Sequence, residues 1–400
     1  MPGPRSGAAR WTDQSGNLWL FGGSVFPKPN ASFLNDLWEF NPATSEWTWV
    51  SGSNTLFAEG VYGTLGVAAP ANVPGARSGS LSWTDQSGNL WLFGGIGLAG
   101  GGGIVGGLND LWEFNPATSE WTWVGGSNSF VANDYACGTL GVPDPVGGSN
   151  GPCARAGSAS WTDLNGNFWL FGGGGMGDSD LWKFSPTTMM WTNFSFKNVP
   201  LNGVYGTLGV PAPTNAPGAR YDAVSWTDQS GNLWLFGGDP YYLNDDGFHR
   251  FNDLWRYDPI ANEWTWEGGS NIVDAEGVYG TLGVAAPANV PGARSGSVSW
   301  TDQSGNFWLF GGENFSGVFN DLWSFNPATH EWTWMSGAQI GAAAGVYGKL
   351  GVATTGNVPG ARYGSVSWTD QNGSFWLFGG FGFDSADAPG ALGDLWRYQP

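Results

Sequence analysis

The feature that most constrains this chain is a short apolar run closed by two glycines, Asn89-Leu90-Trp91-Leu92-Phe93-Gly94-Gly95, which returns in near copy six times. The copies end at Gly22/Gly23, Gly94/Gly95, Gly172/Gly173, Gly237/Gly238, Gly311/Gly312 and Gly379/Gly380, giving intervals of 72, 78, 65, 74 and 68 residues. A period of this length, irregular only by loop-sized amounts, demands a repeat architecture. Units too small to hide their own apolar faces must stack on one another.

The repeats run approximately over 1–54, 74–127, 152–197, 217–270, 291–337 and 359–400, and 1–400 reads as one domain. In the second, Ser78 to Thr84 is a first strand of small and apolar residues, ended by the turn Asp85-Gln86-Ser87-Gly88-Asn89. Leu90 to Phe93 is apolar on both alternating faces, the pattern of a strand covered on both sides. A variable loop leads to a third strand, Asn109 to Phe114. Asn115-Pro116-Ala117-Thr118-Ser119-Glu120 turns the chain, and Trp121 to Val124 is a fourth strand with two indoles on one face. Sheets of four short strands, apolar on both faces, hide those faces by packing around an axis, so the reading is an all-β propeller.

The double glycine, followed by an aromatic residue and a tryptophan with six residues between them, resembles the kelch repeat. The pairs are Phe40/Trp47, Phe114/Trp121, Phe184/Trp191, Tyr257/Trp264 and Phe325/Trp332; the sixth repeat reaches Tyr398. The resemblance covers essentially the whole chain and implies a six-bladed kelch β-propeller similar to galactose-oxidase-like proteins, with four antiparallel strands per blade and three in the last. About twenty residues between the fourth strand and the next repeat, carrying Gly60-Val61-Tyr62-Gly63-Thr64-Leu65-Gly66-Val67 and its copies, depart from the usual pattern. Met1 to Arg5 lies in register with Val73 to Arg77, so the chain is expected to be a piece of a longer protein, with a seventh blade as an open alternative.

All 27 tryptophans sit at repeated strand positions, which marks them as packing residues rather than sugar platforms. A formal charge of −19 disfavours nucleic acid and anionic membrane surfaces as partners. There is no apolar run of membrane-spanning length, and the first residues carry no signal segment.

Arg5, Arg77, Arg155, Arg220, Arg294 and Arg362 open the first strands, and Asp36, Asp110, Asp180, Asp253, Asp321 and Asp394 open the third. The expectation is guanidinium–carboxylate pairing, with an arginine-lined channel mouth as the alternative. Function is expected where symmetry breaks. Cys137 stands where other repeats have Tyr62, Tyr205, Tyr279 or Tyr347, and Cys153 stands where they have glycine, which suggests a disulfide and an oxidising, extracytoplasmic location. The fourth-repeat loop, with Asp239, Tyr241, Tyr242, Asp245, Asp246, His249 and Arg250, is the most chemically varied and is the expected binding determinant.

Two histidines, His249 and His330, fall on turns at opposite ends of the strands, too few and too far apart for the copper site of galactose oxidase or for zinc. No cofactor or metal is expected, and no catalytic residue stands out. The leading reading is a non-catalytic interaction module, a monomeric unit of a longer chain that presents a loop-rich face to a protein or glycan. A kelch-type carbohydrate-active enzyme such as a sialic-acid mutarotase, and a structural spacer, are the alternatives.

Overall fold

The computed structural model describes residues 1–25, 32–129, 151–173, 179–195, 199–240 and 249–400, together with the backbone of 144–145. Among them there is no helix, and the strands pair antiparallel. The chain divides into two compact units, Met1–Gly3 with Gly7–Asn198 and Pro4–Ser6 with Val199–Pro400.

In the first unit the first repeat is a sheet of Ala9–Thr12, Leu18–Val25, Ser32–Asn41 and Glu46–Ser51, paired in chain order. The second repeat follows with Leu81–Thr84, Leu90–Leu98, Val105–Asn115 and Glu120–Gly125. The third has Ala159–Thr162, Phe168–Phe171, Leu181–Ser185 and Met190–Asn193. In the second unit the fourth repeat pairs Val224–Thr227, Leu233–Pro240, Phe251–Asp258 and Glu263–Gly268. The fifth pairs Val298–Thr301, Phe307–Phe310, Leu322–Asn326 and Glu331–Ser336. The sheet of the sixth has three strands in this chain, Val366–Thr369, Phe375–Phe378 and Leu395–Tyr398.

The doubly apolar second strands lie between sheets. Trp19, Trp91, Trp169, Trp234, Trp308 and Trp376 are each at most 6% exposed. Neighbouring sheets meet through aromatic rings: Trp83 stacks on Phe168, Trp226 on Phe307 and Trp300 on Phe375, each with centroids 5.2 Å apart. The hairpin turns are fixed by their aspartates. Asp85 Oδ1 accepts from the backbone N–H groups of Ser87 and Asn89, and Oδ2 accepts from the Trp91 indole at 3.0 Å.

The double glycine does not end the second strand in the first, second and fourth repeats. The strands run on to Val25, Leu98 and Pro240 through a bulge at the glycines. The reason glycine is needed there is close approach. Gly94 has φ +63°, and a Cβ on it would lie 2.8 Å from the carbonyl oxygen of Arg155 in the next repeat, which also accepts from Gly95 N–H at 2.8 Å. In the second unit Arg5 makes the same contact with the sixth repeat: its carbonyl accepts from Gly380 N–H at 2.8 Å.

The long linkers ahead of the second, fourth and fifth repeats, expected from the sequence to belong to the loop-rich face, cover the outer strand of the repeat that follows. Residues 60–74 lie along Glu120–Gly125, with Gly66 N–H donating to Trp123 O and Asn72 Nδ2 to Trp121 O. Equivalent linkers cover the fourth strands of the fourth and fifth repeats. Asp144–Pro145 pairs with Met190–Asn193 in the same place.

Candidate functional site

Most of the repeated arginines and aspartates are joined. Arg77 Nη1 and Nη2 donate to the two carboxylate oxygens of Asp110 at 2.6 and 2.7 Å, and neither side chain is exposed. Asp110 also accepts from the Tyr62 hydroxyl at 2.6 Å and the Trp112 indole at 2.8 Å. Burial first, and the carboxylate second, push the Tyr62 hydroxyl well above its ordinary pKa, so it remains a donor. The same pairing recurs at Arg155–Asp180, Arg220–Asp253, Arg294–Asp321 and Arg362–Asp394. Arg5 is buried as well. With both guanidinium edges engaged and no surface open, Arg77, Arg155, Arg220, Arg294 and Arg362 tie the linker, the second strand and the third strand together.

The fourth repeat is different. Arg250, immediately before the third strand and only 5% exposed, is a second buried arginine in this repeat. Its Nη1 lies 2.9 Å from Asp239 Oδ2 and its Nη2 lies 3.3 Å from Glu313 Oε1, and Nη1 also donates to the carbonyl of His249. Its Nε is buried, with no partner among the described residues. Its backbone N–H donates to Asp274 Oδ1 at 2.9 Å, while Asp274 Oδ2 is bonded to the His249 ring.

Asp222 completes the group. It stands where the other repeats have Gly7, Gly79, Gly157, Gly296 and Gly364, all with φ between +63° and +68°, and it adopts φ +49° itself. An aspartate thus holds a left-handed conformation that five repeats assign to glycine. The residue is exposed to water, although protein atoms lie close around its carboxyl. That desolvation and the nearby Glu313, opposed by Arg250, raise it to about 6. Asp239 is likewise raised to about 6, by desolvation first and then by Asp222 and Glu313, with Arg250 and His249 opposing. The Tyr363 hydroxyl beside Glu313 is pushed up to about 12, again chiefly by burial. Two carboxylates, Asp239 and Glu313, therefore pair with one guanidinium, and the Asp222 carboxyl is close enough to feel their charge, leaving an excess of negative charge when all three are ionised.

Of the residues expected from the sequence, Asp239, His249 and Arg250 come together here. Tyr241, Tyr242, Asp245, Asp246 and Cys137 lie outside the described residues; Cys153 is buried. Asp222, Asp274, Glu313 and Tyr363 were missed. The departure of Asp222 from a glycine column was the available signal. His330 is elsewhere, 3.2 Å from Glu267 and packed near Trp234 and Phe325. Among the described residues no group of three or more His, Cys, Asp or Glu side chains is arranged to hold a metal.

No protein-family model matches the chain. It is similar to tip elongation aberrant protein 1 of Schizosaccharomyces pombe, a kelch-repeat protein, at 25% identity over 287 residues. The alignment takes in 69% of this chain and 19% of that protein, so the chain matches about a fifth of the relative's length. The match and the all-β repeats fit a kelch-type fold.

Proposed function

We propose that this chain is a protein-interaction module built as a six-bladed kelch β-propeller, and that the group around Arg250 is its recognition site. The observation that carries the recognition site is the pairing of Asp239 and Glu313 with one buried arginine, with the Asp222 carboxyl nearby, at the point where the repeats lose their symmetry. The partner suited to the site is a polypeptide presenting a lysine or arginine side chain. Excess carboxylate attracts the cation, and Asp222 keeps a carboxyl at this place at the cost of a left-handed backbone. Binding should be tested on a peptide array at pH 7.5 with wild type and Glu313→Gln. Selective capture of basic peptides, weakened in the variant, supports the reading; capture independent of peptide charge refutes it.

A carbohydrate-active enzyme is the second reading, favoured by two carboxyls that titrate near pH 6 beside an arginine, a set suited to proton transfer. Mutarotation of sialic acid, followed by NMR and abolished in Asp239→Asn, would establish it. The Cys137–Cys153 bridge, a glycan partner and an extracytoplasmic setting belong with the proposal as further expectations.

A further inference from the structure

One position of the first strands departs from its pattern in a single repeat. Arg10 pairs in register with Leu20, and the residues that pair with the matching leucine elsewhere are all serine: Ser82, Ser160, Ser225, Ser299 and Ser367. Three of these serines stitch neighbouring first strands together. Ser82 Oγ donates to Arg10 O at 2.8 Å, Ser299 Oγ to Ser225 O at 3.4 Å and Ser367 Oγ to Ser299 O at 3.1 Å. Among the described residues the Arg10 guanidinium has neither a hydrogen bond nor an ion pair, and the bonds of this residue are made by its backbone.

The other arginines are treated differently. Seven of them meet a carboxylate oxygen at 2.9 Å or less, and Arg397 lies over the Trp376 ring. Arg10 is half-buried, with protein atoms close around its guanidinium, and that desolvation pulls it down to about 10 with no carboxylate near enough to offset the loss. With 33 acidic residues against 14 basic ones, the chain has no shortage of counter-ions, so a cation partly stripped of water and left unpaired is a property of this place. The same strand supplies a second group. Ala9 and Trp11 are each 3% exposed and turn into the core, so Arg10 and Thr12 share the opposite face, about 7 Å apart along the strand. The Thr12 carbonyl accepts from Thr84 Oγ1 at 3.3 Å, whereas its own hydroxyl has no partner among the described residues.

We infer that Arg10 and Thr12 form a binding site for a small tetrahedral oxyanion, a phosphate or sulfate group. Two oxygens of the anion lie in the guanidinium fork and a third accepts from the Thr12 hydroxyl, while its charge supplies the counter-ion that the site lacks. A carboxylate fills the fork and leaves the threonine unused, so it binds more weakly. The serines at the matching positions carry no charge, which assigns the site to the first repeat. The inference does not depend on what the Arg250 group binds.

The test uses the full chain with inorganic phosphate, sulfate and acetate at pH 7.5 and constant ionic strength, following arginine Nε–H resonances by NMR and thermal unfolding in parallel. The Arg10 resonance, identified by its loss in Arg10→Ser, should shift saturably with phosphate and with sulfate, and acetate should bind about tenfold more weakly. Arg10→Ser installs the residue that the other repeats carry. Without added oxyanion its unfolding midpoint should lie above that of the wild type, because a desolvated cation is gone. Phosphate should then raise its midpoint only as general salt exclusion does, whereas the wild type should show a further, saturable rise. Thr12→Val should weaken phosphate by about tenfold and leave acetate unchanged. Equal phosphate responses in wild type and Arg10→Ser, or an Arg10 resonance that does not move, would overturn the inference. So would acetate binding as tightly as phosphate, or a lower midpoint for Arg10→Ser without oxyanion, which would mean that the guanidinium is already paired within the protein.

Discussion

Replacing Asp110 by alanine should be among the most damaging single changes in this chain, and the other repeats supply internal controls for its size. The carboxylate accepts both Nη atoms of Arg77, the Tyr62 hydroxyl and the Trp112 indole, with no exposure at either end of the ion pair. Its removal leaves a buried guanidinium without its counter-ion, roughly 3 to 5 kcal/mol, and orphans two further donors at about 1 kcal/mol or more each before any water enters. A loss of about 5 kcal/mol is therefore expected. Asp180→Ala and Asp394→Ala should cost about half as much, because those carboxylates are 12% and 18% exposed and water can replace part of what is lost. Tyr62→Phe, which removes one bond to the same carboxylate, should cost about 1 to 2 kcal/mol. Urea unfolding at pH 7, followed by tryptophan fluorescence, measures the series. Equal losses at Asp110 and Asp394, or less than about 1 kcal/mol at Asp110, would refute the claim that this pairing carries the junction.

Asp222→Gly restores the residue found in the other five repeats and should stabilise the protein by roughly 0.5 to 1 kcal/mol through relief of the left-handed backbone. Because the Asp222 carboxyl is raised in the folded state, it opposes folding fully above about 6, progressively less as pH falls below that, and not at all once pH is below its unfolded value. The stabilisation by Asp222→Gly should thus be larger at pH 7 than at pH 4; an equal or reversed difference in urea midpoints would contradict the assignment. Basic-peptide binding should weaken as pH falls from 7 to 5, since Asp222 and Asp239 both take up protons near 6; a pH-independent isotherm would count against these groups. Alkylation and mass spectrometry under non-reducing conditions should find Cys137 and Cys153 unreactive, and two modified thiols would remove the bridge.

The repeat, its strand order and its all-β character were legible because every second strand repeats the same doubly apolar run and every turn the same aspartate. The covering role of the linkers was not. Gly66 and Asn72 make their bonds to a strand some 50 residues later, a partner that no local pattern marks. The site was half legible. Asp239, His249 and Arg250 lie in one loop of unusual composition, so a search for broken symmetry reaches them. Glu313 and Tyr363 come from the next two repeats and join only through the packing of neighbouring sheets. Asp222 could have been found, since it interrupts an otherwise unbroken column of glycines.

The most direct test of the recognition site is titration of a short arginine-containing peptide into the wild-type chain and into Asp222→Gly and Glu313→Gln at pH 7.5, by calorimetry. A one-to-one complex that weakens in both variants and with rising salt is expected. Wild-type affinity in both variants, or equal affinity for the same peptide with glutamate in place of arginine, would contradict it.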